Sequence, residues 1–94
     1  MLLERSEIQI QPGLEEAFAA MMKERGLPVL SAFPGVTSVQ IGRGLENPSK
    51  FLLLVGWDAM ESHTAFKQSP IYPEFGQLFR PFSKGGAMEH FNMF

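Results

Sequence analysis

Phe51-Leu52-Leu53-Leu54-Val55-Gly56-Trp57-Asp58-Ala59-Met60-Glu61-Ser62-His63-Thr64-Ala65-Phe66 holds the chain's most apolar strand, its only tryptophan and one of its two histidines. Read at strand period, Phe51, Leu53, Val55 and Trp57 point to one side and Leu52, Leu54 and Gly56 to the other. Both faces are apolar, so both need cover. A chain of 94 residues can lay helices over one face of a sheet and has little left for the second. A partner subunit is the economical cover. The run stops at Asp58, whose carboxylate can cap a helix. Glu61 then completes an approximate capping box, with Asp in the Ser/Thr position.

Working outward, a first strand is expected over Leu2 to Ile10. Arg5, Glu7 and Gln9 share one face with Leu3, and Glu4 and Ser6 share the other with Leu2, Ile8 and Ile10. Pro12-Gly13 ends it. Leu14, Ala17, Phe18 and Met21 form the stripe of an amphipathic helix, which Gly26 and Pro28 are expected to break before a further apolar turn. Val36 to Arg43 reads as a second strand, joined through the turn-rich Gly42 to Ser49 to a third, Lys50 to Trp57. A helix from Ala59 to near Gln68 stops at Ser69-Pro70. A shorter one follows around Phe75, Leu78 and Phe79, and Gly85-Gly86 then releases a last strand, Ala87 to Phe94. The order is β-α-β-β-α-β: a ferredoxin-like α+β fold, its antiparallel sheet covered by helices on one face, in a single domain spanning residues 1–94.

Composition narrows the function. A net charge of −2 gives no electrostatic case for nucleic acid. Zero cysteines remove disulfides, thiolate nucleophiles and thiolate metal sites together. No apolar run approaches a membrane span, and the N-terminus lacks the pattern of a signal peptide, so a cytoplasmic location is the expectation. The two histidines, far apart and without HxH or HxxxH spacing, give no metal signal. Gly42-Arg43-Gly44 lies in a hairpin turn and not before a helix, so it is no nucleotide loop.

Pro34-Gly35-Val36, the strand Phe51 to Trp57, then Glu61, His63, Phe66, Ser69-Pro70 and Tyr72, and finally His90-Phe91, resemble the antibiotic biosynthesis monooxygenase family across nearly the whole chain. The resemblance implies a dimeric α/β barrel, a homodimer whose sheets face each other, with a pocket between sheet and helices in each subunit. Some members oxygenate polyphenolic compounds with O2 and neither metal nor flavin; others degrade heme. The heme-degrading pattern asks for an axial histidine, a distorting tryptophan and a first-strand asparagine. Gly76 and Phe66 stand at or near the first two places, and the first strand has no asparagine.

The expected activity is therefore cofactor-independent monooxygenation of a small aromatic or quinol-like compound. The protein's tasks would be to deprotonate the substrate, orient it and exclude water. His63, Trp57 and Tyr72 are the candidate catalytic residues: imidazole takes the proton, and indole N–H and phenol bind substrate oxygen. Phe66, His90, Asn92 and Arg80 are the candidate substrate contacts. Each also has a structural reading: Trp57 as a core or interface anchor, His63 bonded across the fold, His90 in packing, Tyr72 clamping a turn, Arg80 at a helix C-terminus. A non-catalytic ligand-binding dimer, or an isomerase or decarboxylase on the same fold, fits the same residues.

Overall fold

The computed structural model describes residues 1–94, which run β1 (Leu2–Ile10), α1 (Glu15–Met21), a π-helical turn (Met22–Gly26), α2 (Leu27–Ser31), β2 (Val36–Arg43), β3 (Lys50–Trp57), α3 (Met60–Gln68), α4 (Ile71–Phe79) and β4 (Ser83–Asn92). All strand pairs are antiparallel and the sheet order is β2-β3-β1-β4. The helices cover one face, completing the ferredoxin-like α+β arrangement. No helix is long and apolar enough to cross a membrane.

Strand alternation decides which residues lie under the helices. Phe51, Leu53, Val55 and Trp57 of β3 and Glu4, Ser6, Ile8 and Ile10 of β1 are all buried. Phe18, Met22, Leu30, Phe66 and Phe75 meet them from the helices. Much of this core is edge-to-face aromatic: Phe18 lies 4.9 Å from Phe51 between ring centroids, Phe33 lies 5.0 Å from Phe66, and Phe66 lies 5.6 Å from Phe75. The opposite face carries Leu52 and Leu54, with Arg5 bridging Glu7 at 2.6 Å and Glu89 at 3.2 Å. That face has no cover within the chain.

Three local expectations change. The first helix does not break at Gly26 and Pro28: α1 passes through the π turn directly into α2. Gly26 holds helical angles (φ −62°, ψ −51°), and a Cβ there would lie 2.6 Å from Met22 Sδ, so the glycine makes room for a buried methionine. Pro28 falls in the first turn of α2, where a missing N–H is tolerated. At the start of α3 the cap position falls on Ala59, one residue later than Asp58, and no side chain caps the helix. Asp58 instead accepts a hydrogen bond from the Ser62 hydroxyl.

β4 begins at Ser83 and ends at Asn92, so Gly85 and Gly86 lie inside the strand rather than before it. A Cβ on Gly86 would sit 2.2 Å from the Glu7 carbonyl oxygen. The glycine is there for close backbone approach, not for release of a loop. β4 pairs with β1 alone, and its helix-side residues are left largely uncovered: Met88 is 49% exposed. This uncovered strip beside α3 and α4 positions the site.

Candidate functional site

The register places Glu4 of β1 directly between Val55 of β3 and His90 of β4. Trp57 and Ser6, each two residues further along its strand, point to the same side. α3 lowers His63 and Phe66, one helical turn apart, onto this row, and both are buried. Sheet register and helix period thus bring together four polar side chains from positions 4, 6, 63 and 90.

At their centre is the Glu4 carboxylate, 5% exposed. The Trp57 indole Nε1–H donates to Oε1 at 3.0 Å and the Ser6 hydroxyl donates to Oε2 at 2.8 Å. His63 Nε2 lies 3.4 Å from the same Oε1. The His63 ring stands 4.5 Å from the His90 ring and 5.2 Å from the Trp57 indole, centroid to centroid. A buried carboxylate needs such donors, because an unpaired charge in a low-dielectric interior is expensive. Two imidazole atoms are left over: His63 Nδ1 and His90 Nε2 are buried with no hydrogen-bond partner. Burial lowers the His63 pKa, His90 and Lys67 act in the same direction, and Glu4 opposes them. Burial thus disfavours the charged form of the ring, and the Glu4 carboxylate beside it favours that form.

Two cavities meet this cluster. The first, about 330 Å³, is mostly apolar: Ile8, Leu53, Phe75 and Phe79 wall it, Tyr72 overlooks it, and Glu4 and Ser6 supply polarity. Its β4 side is formed by Gly85, Gly86 and Ala87, where the absence of bulk leaves the space open. The second, about 480 Å³, is polar and lined by His63, His90, Thr64, Lys67 and Gln68. Met88 lines both. A Glu4–His63 pair between an apolar cavity and a polar one can carry a proton from one to the other.

The residues singled out in the sequence separate accordingly. His63 and His90 stand in the cluster and line the second cavity; Tyr72 lines the first, its ring 5.5 Å from Phe66. Trp57 belongs to the cluster but lines neither cavity: at 1% exposure it sits behind Glu4 and aims its N–H at the carboxylate. Phe66, 3% exposed, is core between Phe33 and Phe75. Arg80 caps the C-terminus of α4 in solvent, and Asn92 is exposed at the end of β4 opposite Leu2; neither lines these two cavities. Glu4 is the residue that sequence reasoning missed. Its signal was present: two polar residues, Glu4 and Ser6, on the strand face that also carries Ile8 and Ile10.

Comparison with known proteins gives a consistent picture. A family model described as antibiotic biosynthesis monooxygenase matches residues 1–78. The uncharacterized protein YczJ of Bacillus subtilis (strain 168) is 31% identical over 93 residues, 97% of each chain. Among solved structures, a Bordetella bronchiseptica protein provisionally assigned as an antibiotic biosynthesis monooxygenase superposes with a TM-score of 0.88 at 26% identity, covering 99% of this chain and 96% of that one. A provisionally assigned Nitrosomonas europaea protein shares the fold at a TM-score of 0.81 and 14% identity, over 99% and 98% of the two chains.

Proposed function

The chain belongs to the antibiotic biosynthesis monooxygenase family, and from that premise we propose that it is a cofactor-independent monooxygenase acting on a small aromatic or quinol-like compound. The observation that carries the reading is the Glu4 carboxylate. It is buried, held by Trp57 and Ser6, 3.4 Å from the His63 imidazole, and open to an apolar cavity of about 330 Å³.

In this reading the substrate ring lies against Phe75, Phe79 and Leu53, with an oxygen toward the Tyr72 hydroxyl. Glu4 takes the proton of the substrate's phenol or activated C–H group and His63 receives it, delivering charge toward the polar cavity. The electron-rich anion reduces O2 directly, and the two recombine as a substrate peroxide. Return of the proton and loss of water leave a carbonyl. The sum is substrate plus O2 giving a quinone with one added oxygen and two fewer hydrogens, plus one H2O. All electrons come from the substrate. The chain's own contributions are a base, an orienting wall and the exclusion of bulk water during the anionic stage.

The leucines on the uncovered face support a homodimer with sheet packed against sheet. The cavities then lie on the outer, helical sides of the barrel, one set per subunit.

The test is O2 consumption by metal-stripped protein against anthrones, hydroquinones and catechols, with Glu4→Gln, His63→Ala and Tyr72→Phe alongside. Uptake well above autoxidation, lost in Glu4→Gln with the dimer intact, is the expected result. No uptake across the panel, together with ligand-induced stabilisation, moves the site to a binding module. Hydrogen exchange at a substrate carbon without O2 uptake moves it to an isomerase.

A further inference from the structure

We propose that Glu4, His63 and His90 form a binding site for one divalent transition-metal ion of the zinc and cobalt type. The inference stands on the geometry of the three side chains and is independent of the monooxygenase reading. One ligand atom from each of the three residues lies within 4.8 Å of the others. Ligands held about 2.1 Å from a tetrahedral ion are about 3.5 Å apart, so side-chain rotations of a few tenths of an ångström to about 1 Å close the set.

Three observations point to a ligand here rather than to packing alone. His63 is 3% exposed, yet its Nδ1 has no partner, and His90 Nε2 is likewise buried and unpaired. Leaving two imidazole nitrogens unsatisfied costs stability that hydrophobic replacements would not. The carboxylate is already held by outer partners, Trp57 Nε1–H and the Ser6 hydroxyl, as metal-ligating carboxylates are. And the polar cavity lined by His63 and His90 gives water and ions a way in. Two imidazoles and one carboxylate select borderline cations such as Zn²⁺, Co²⁺ or Fe²⁺ over Mg²⁺ and Ca²⁺, which prefer oxygen alone. A cation bound there occupies the gap between Glu4 and His63 that the proposed proton transfer crosses, so metal loading and proton transfer exclude each other.

Titration of the metal-stripped, untagged chain with Co²⁺ and with Zn²⁺, followed by calorimetry, tests the site. Co²⁺ supplies a second readout: it quenches indole emission, and the only tryptophan donates a hydrogen bond to the proposed carboxylate ligand. The expected result is one equivalent per chain, saturable quenching, no response to Mg²⁺, and a loss of affinity of about tenfold or more in His90→Ala. His90 lies on an edge strand and is half-buried, so that variant is expected to remain folded; Glu4→Gln is the second variant. Absence of saturable binding by either metal overturns the proposal, as does unchanged binding in both variants. Neither outcome touches the O2 assay, which is run without metal.

Discussion

Glu4 stands at an inward-facing strand position between Val55 and His90, where a β-branched apolar residue would ordinarily complete the core. The carboxylate is tolerable because Trp57 and Ser6 donate to it. Trp57→Phe preserves the ring packing and removes one donor. We expect it to lower unfolding free energy by about 1–3 kcal/mol, read from urea midpoints at unchanged m. Glu4→Gln keeps size and one acceptor, so the Trp57 bond can persist while the Ser6 hydroxyl must turn to accept from the amide NH2, and it removes basicity. In the O2 assay its turnover is expected to fall by about 10²–10⁴-fold, the range typical of a lost general base. At this scale the sequence was half legible. Its motif-bearing residues, Trp57 and His63, were identified, and both meet in the cluster. The carboxylate that joins them was not, because its importance depends on which residues of β3 and β4 stand opposite it, and pairing register is a non-local property.

At the scale of elements, the sequence marked β1, β2 and β3 with the boundaries observed: Pro12-Gly13 follows β1, Pro34-Gly35 and Gly44 flank β2, and the apolar run of β3 lies between Pro48 and Asp58. Besides the Asp58 cap and Pro28, the signals that misled were glycines. Gly26 and Gly86 read locally as breakers but serve as gaps, one for Met22 and one for the Glu7 carbonyl. Gly86→Ala is therefore expected to destabilise the protein by about 1–3 kcal/mol, as overpacking does. Gly76, inside α4 with nothing within 4 Å of a built Cβ, is the opposite case. Gly76→Ala should stabilise by about 0.5–1 kcal/mol; thermal melts of the pair give both signs. The start of α1 supplies a pH dependence. Glu15 accepts hydrogen bonds from the Ser49 hydroxyl and the Gly13 N–H, and its pKa is lowered, the Ser49 bond being the largest cause. A depressed carboxylate contributes stability above its unfolded pKa and loses it as pH falls through the folded value. Ser49→Ala should move the Glu15 titration, followed by NMR, back up toward the ordinary carboxylate range.

For the whole molecule, the sheet has one face under helices and one face bare. The sequence showed that β3 is apolar on both sides but not which side meets the helices; the structure assigns Leu53 and Val55 inward and Leu52 and Leu54 outward. Charge substitution on the two sets should therefore diverge. Leu54→Glu is expected to yield a folded monomer by analytical ultracentrifugation, and Leu53→Glu an unfolded or aggregated chain. A Leu54→Glu protein that sediments as a normal dimer removes the face-to-face packing.

The two halves of the candidate site hang from strands of unequal security. Glu4 is on a strand with a neighbour on each side; His90 and Met88 are on one held only by β1, with exposed ion pairs such as Arg5–Glu89 adding little. Local opening of β4 costs less than global unfolding, so its amides should exchange with deuterium well before those of β3. The edge can peel away with His90 and the cavity wall while Trp57 and the aromatic core stay folded. On heating, this protein should therefore forget its ligand several degrees before it melts.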